Sequence, residues 1–197
     1  MAHPENWNDY LASIEAALRD VVVTNQSGAT VPTADAFKQW VDLSHAVNER
    51  GNMTYFIGNG GSAGIASHMA ADACKNGKLR ALAFNDVALM TATANDVAFD
   101  QIFALPLARL ARPGDMVVSI SSSGNSPNIL RGLEQARAIP LHIVTLSGWN
   151  ADNRSRSLGD LNFYIGASRY GWIESAHLLI LHFWLDQYLN VHGSGAL

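Results

Sequence analysis

The run Met53-Thr54-Tyr55-Phe56-Ile57, followed at once by Gly58-Asn59-Gly60-Gly61-Ser62, decides the fold. A short apolar run reads as a buried strand, and Ala63 to Cys74 then reads as a helix. Strand, glycine loop and helix in this order form one unit of a parallel sheet. The same unit recurs downstream. Met116 to Ile120 is a strand, Ser121-Ser122-Ser123-Gly124-Asn125-Ser126 is the loop, and Pro127 to Ala138 is the helix. Pro127 suits a first helical turn, because its fixed φ is helical and its missing N–H is not needed there.

Working outward, Leu79 to Phe84 reads as a strand, Asp86 to Ala94 as a short helix, and Asp100 to Leu110 as a helix closed by Pro113-Gly114-Asp115. Leu141 to Leu146 and Leu161 to Ile165 are further strands, and Trp172 to Val191 is a long apolar helix. Trp149 to Ser157 is polar and reads as a surface loop. Upstream, Trp7, Tyr10, Leu11, Ile14, Ala17, Leu18 and Val21 fall at helical spacing, so Trp7 to Val23 reads as an amphipathic helix. Thr24 to Pro32 is a loop and Ala34 to Glu49 a second helix. Strands alternating with helices predict an α/β fold with a parallel sheet covered on both faces. The length of 197 residues suits one domain, with a helical extension over about 1–50, a core over about 51–192 and a frayed tail from His192 to Leu197.

Composition narrows the function. Hydrophobic residues make up 48% and charged residues 15%, which describes a globular chain. A net charge of −4 offers no long-range attraction to nucleic acid or to an anionic membrane. Cys74 is the single cysteine, so the chain forms no internal disulfide, as in a reducing compartment. No secretory signal and no membrane span is read, and a cytoplasmic location is expected.

An anionic ligand must then be held by local dipoles and a few donors. Both glycine–serine loops are predicted at the carboxyl ends of strands, where α/β sheets bind ligands. Each opens a helix, whose first N–H groups and positive dipole end attract anions. Ser121, Ser122, Ser123 and Ser126 add hydroxyl donors, and together they could hold a phosphate without Lys or Arg. Neither loop ends in the Gly-Lys-Ser/Thr of a Walker A loop, and Gly58, Gly60 and Gly61 do not form G-x-G-x-x-G.

Four motifs in this order and spacing resemble the sugar-isomerase (SIS) family: Gly58 to Ser62, Thr93-Ala94-Asn95-Asp96, Ser119 to Ser126, and Val144-Thr145-Leu146-Ser147-Gly148. The similarity runs from about residue 35 to 190 and is greatest to the phosphoheptose isomerase branch. The resemblance implies a flavodoxin-like three-layer sandwich around a five-stranded parallel sheet, with N-terminal helices. It implies a homotetramer with active sites at subunit interfaces and a sugar phosphate as ligand, sedoheptulose 7-phosphate being converted to glycero-manno-heptose 7-phosphate. Asn59, Gly60, Gly61, Ser62, Asn95, Asp96, Ser121, Ser122, Ser123 and Ser126 match its substrate-binding positions. Asp72 matches its base and His182 its acid partner. His68, Asp72, Glu174 and His182 match the ligands of its zinc-binding members. Asp72 stands where glutamate is expected, Glu174 where glutamine is, Gly171 where aspartate is, and Asn76 where a basic residue is. Another sugar-phosphate isomerase or lyase on this scaffold, and a non-catalytic tetramer resembling the replication initiator-associating protein, are the alternatives.

The residues themselves limit the chemistry. His68 and Asp72 are i and i+4 on a predicted helix, where they can chelate one ion or simply hydrogen-bond. Glu174, His177 and His182 lie on an apolar helix and need partners there; His177 alone reads as a satisfied core or interface histidine. Glu174 and His182 are eight residues apart, a rise of about 12 Å on an unbroken helix. Ligands of one Zn²⁺ lie about 2 Å from it. Glu174 must therefore sit on a non-helical segment before the helix, or on another subunit. Proton transfer between adjacent carbons of a sugar phosphate needs a base, an acid and enediolate stabilisation. Asp72 and His182 are the expected pair, with Glu174 as base if Asp72 is committed to a metal.

Overall fold

A computed structural model of the chain describes residues 6–193. The elements, in order, are α1 (Trp7–Arg19), β1 (Val22–Asn25), α2 (Thr33–Glu49), β2 (Thr54–Gly58), α3 (Gly61–Lys75), β3 (Ala81–Ala83), α4 (Val87–Asp96), α5 (Ala104–Leu110), β4 (Met116–Ser121), α6 (Pro127–Ala138), β5 (His142–Gly148), β6 (Leu161–Ile165) and α7 (Tyr170–His192). Short 3₁₀ turns cover Phe99–Gln101 and Arg154–Ser157.

The six strands form one sheet in the order β1-β6-β5-β4-β2-β3. Strands β2 to β6 are parallel, and β1 runs antiparallel along β6. Counted from the first parallel strand, their order is 2-1-3-4-5, the flavodoxin-like winding. The direction of winding reverses between β2 and β4, which lie side by side and carry the two loops at their carboxyl ends.

Side chains alternate between two cores, as the pleat requires. Phe56, Met116, Val118, Ile120, Val144 and Leu146 face a core shared with α2, α3 and α7. Tyr55, Ile57, Val117 and Ile143 face a second core with α5 and α6. The three-layer expectation holds. In the first core Trp40 and Trp184 stack at 4.9 Å, joining α2 to α7. The Trp184 indole donates to Ser44 Oγ at 3.0 Å, so a buried donor is satisfied.

Three sequence expectations are corrected. The sheet has six strands, not five. The first helix stops at Arg19, and Val22–Asn25 forms the extra strand across the end of the expected helix and the start of the expected loop. The β-branched run Val21-Val22-Val23-Thr24 favours a strand, and pairing with β6 buries Val23. The helix expected over Asp100 to Leu110 divides into the 3₁₀ turn and α5. His192 closes α7, and residues 194–197 of the expected tail lie outside the described residues. No helix among the described residues is long and apolar enough to cross a membrane.

Candidate active site

The switch point opens a cavity of about 390 Å³, within the usual range for small-molecule sites. It is lined by Asn59, Gly60, Gly61 and Ser62 from the first loop and by Ser121, Ser122, Ser123 and Ser126 from the second. Ile120, Tyr170 and Glu174 complete the lining. Eight of the expected substrate-binding residues are therefore brought together. Asn95 and Asp96 are not among the residues that line it. They lie exposed at the end of α4, where the Asn95 amide donates to the Asp96 carboxylate at 2.7 Å.

Local sequence explains the two loops. Gly58 passes so near the first turn of α3 that a Cβ there would lie 2.6 Å from the Ser62 carbonyl oxygen. Gly60 takes φ +57 to start α3, a conformation that favours glycine. Ser126 precedes α6 and makes no side-chain cap bond, with Pro127 at the helix start as its sequence predicts. Asn128, which the sequence did not mark out, fastens the loops to each other. Asn59 donates to Asn128 at 2.9 Å and Asn128 donates back to Asn59 at 2.7 Å. An asparagine immediately after a helix-opening proline is the signal that could have found it.

A second cluster lies further along α3 and α7. His68 Nε2 is 3.3 Å from His182 Nε2 and 3.5 Å from the Asp72 carboxylate. One ligand atom from each of the three lies within 4.8 Å of the others. Ligands about 2 Å from a tetrahedral ion are about 3.3 Å apart, so the two spacings to His68 are those of a Zn²⁺ site. The donor set, two imidazoles and one carboxylate, also matches the three-ligand pattern that leaves a position open. His68 is exposed while Asp72 and His182 are half-buried, so the cluster faces outward.

Glu174 does not join the cluster in this chain. It lies within α7, not on the non-helical segment expected, because the helix begins upstream at Tyr170. Its carboxylate reaches the start of α3 instead, with oxygens 2.8 and 2.9 Å from where a Gly61 Cβ would be. The α3 N-terminus thus faces an anion of its own, which the helix dipole favours. His177, on the same helix, is fully buried and bonds the Ser147 carbonyl at 3.2 Å through Nε2. Burial lowers its pKa to about 4, against the opposing effect of that bond, so it is neutral and donates. It belongs to the core.

A doubly wound sheet with a serine-lined cavity at its switch point defines the class. The SIS domain family model matches residues 9–148, and the chain belongs to that family. Within it the chain is similar to phosphoheptose isomerases. That of Alteromonas mediterranea is 36% identical over 141 residues, covering 68% of this chain and 71% of the relative. That of Shewanella sp. (strain ANA-3) is 34% identical over 140 residues, covering 67% and 71%. The structure of phosphoheptose isomerase GmhA from Neisseria gonorrhoeae superposes with TM-score 0.80 at 27% identity, covering 93% of this chain and 96% of that one. A phosphoheptose isomerase from Francisella tularensis superposes with TM-score 0.81 at 27% identity, covering 96% and 100%.

Proposed function

We propose that this protein is an aldose–ketose sugar-phosphate isomerase that interconverts sedoheptulose 7-phosphate and glycero-manno-heptose 7-phosphate. The observation that carries the reading is the cavity with serines from two loops, at the switch point of a chain similar to phosphoheptose isomerases. The phosphate is held by Ser62, Ser121, Ser122, Ser123 and Ser126, with Asn59, Gly60 and Gly61 beside it. The chain works as one SIS unit over 1–197, with the segment before about 51 as its extension, in the cytoplasm.

His68, Asp72 and His182 would hold the metal, and Glu174 would be contributed by a neighbouring copy. The chemistry that a Zn²⁺ held there would supply is Lewis-acid polarisation of the substrate carbonyl. Asp72 takes the proton from one carbon and returns it to the neighbouring carbon. It needs one oxygen for the cluster and keeps the other for this transfer. His182 would give one ring nitrogen to the metal and use the other to carry the proton between the two substrate oxygens. Asn95 and Asp96 line the site from the surface of a copy packed against it.

Two chains complete the site in this reading. Along α3, His68 lies seven residues beyond Gly61, a rise of about 10 Å. Along α7, Glu174 and His182 are separated by about 12 Å. The cavity and the cluster of one chain are thus spaced as halves of two sites. This fits sites shared between subunits, as in the homotetramer that the family resemblance implies. It also gives the outward-facing cluster a partner.

Asp72→Asn tests the assignment. Turnover of sedoheptulose 7-phosphate should fall by at least about a thousandfold on loss of the base, in a protein that still sediments as four copies. Full rate in that variant would remove Asp72 from the mechanism. A monomer with full turnover would contradict the shared site.

A further inference from the structure

The segment that follows β5, expected to be a surface loop, is fastened to the serine loop from behind. Asn153 and Ser155 are 3% and 1% exposed. The Asn153 amide donates to the Asn150 carbonyl at 2.7 Å and to Ser147 Oγ at 3.2 Å, and it accepts from Ser155 Oγ at 2.8 Å. Its oxygen also presses on Gly124, where a Cβ would lie 2.1 Å from it. Gly124 has φ +60, so neither the space nor the backbone admits a side chain there. Main-chain bonds complete the attachment. Ser155 N–H donates to the Gly124 carbonyl, Arg154 N–H to Asn125 Oδ1 and Gly148 N–H to the Ser122 carbonyl, each at 3.0 Å.

This attachment has a chemical consequence inside the loop. Gly124 N–H is shared between the Ser121 carbonyl at 3.1 Å and Ser121 Oγ at 3.2 Å, and Asn125 N–H donates to Ser123 Oγ at 3.2 Å. A hydroxyl whose oxygen accepts from the backbone offers its hydrogen elsewhere. Ser121 and Ser123 both line the cavity. The Gly124 turn therefore leaves the hydrogens of these two hydroxyls available to an anion in the cavity, and bonds in series strengthen one another.

We propose that Asn153 is a positioning residue for phosphate binding. Its buried amide fixes the Gly124 turn and so aims the Ser121 and Ser123 hydroxyls into the cavity. This rests on the serine-lined cavity as the phosphate site. Asn153 itself is not among the residues that line the cavity, so it acts on the ligand only through the loop.

The test measures the affinity of inorganic phosphate by calorimetry for wild type, Asn153→Ala and Ser155→Ala, beside KM and kcat for sedoheptulose 7-phosphate. Asn153→Ala should weaken phosphate binding about tenfold and raise KM by a similar factor. Its kcat should stay within about threefold, because the proton-transfer groups are elsewhere. Ser155→Ala should move the same quantities in the same direction by less. A merely structural role would lower thermal stability without separating KM from kcat. Unchanged phosphate affinity in either folded variant overturns the proposal, and so does a fall in kcat at constant KM. If Asn153→Ala does not fold, Ser155→Ala decides by the same criterion. Wild-type protein that binds no phosphate would overturn the cavity's assignment and this proposal together, whereas binding that the variants leave intact overturns this proposal alone.

Discussion

At His177 burial outweighs hydrogen bonding. The imidazole is fully enclosed and its pKa is lowered to about 4 by desolvation, while the unfolded chain protonates near 6.5. The sign follows from linkage. Above about pH 6.5 both states are neutral and stability is unaffected. Between 6.5 and about 4 the unfolded state alone takes the proton, so stability falls as pH falls. Below about 4 the loss levels off at about 3 kcal/mol. Urea unfolding of wild type and His177→Gln between pH 4 and 7 should show this, with the acid-dependent loss smaller in the variant. Equal slopes in both would assign the acid sensitivity to other groups. His177 was legible as a core or interface residue because its neighbours along the helix are apolar. Asn153 was not legible. Its role comes from contacts with residues 124, 147 and 150, and a polar stretch after a strand carries no sign of which side chain turns inward.

At the scale of elements, local pattern and long-range pairing compete. Val21 continues the helical spacing of α1, so periodicity alone extends that helix to Val23. Strand propensity and pairing with β6, some 140 positions away in sequence, win instead. By contrast, β6 and α6 begin and end where the sequence puts them, because turn residues and Pro127 mark their limits. The turn at Pro113-Gly114-Asp115 does more than close α5. Asp115 is 2% exposed and accepts from Asn52 Nδ2 at 2.7 Å, Met53 N–H at 2.9 Å and Arg112 N–H at 2.7 Å. It ties the entry of β2 to that of β4, directly beneath the switch point. Asp115→Ala would leave two backbone donors without this acceptor and should cost about 2–4 kcal/mol in chemical denaturation. A cost below about 0.5 kcal/mol would mean that water replaces the carboxylate.

At the scale of the whole molecule, one strand–loop–helix pattern occurs twice, and its two loops share one cavity. Two strand–loop–helix units sit side by side because the sheet reverses its winding between them, and that reversal opens the serine-lined cavity. The cavity was legible because both loops announce themselves in composition. The grouping of His68, Asp72 and His182 was legible only through the resemblance, since His182 is 114 positions from His68. Helical rise allowed Glu174 to join them only from a non-helical segment or from another subunit, and neither its place within α7 nor its position over Gly61 was legible. Isomerase action and metal dependence meet in one measurement. Turnover of sedoheptulose 7-phosphate should be followed with purified protein as prepared, after chelation, and after adding Zn²⁺ back. The expected result is turnover that is lost on chelation and returns with Zn²⁺. No turnover in any of the three from well-folded protein would contradict the account.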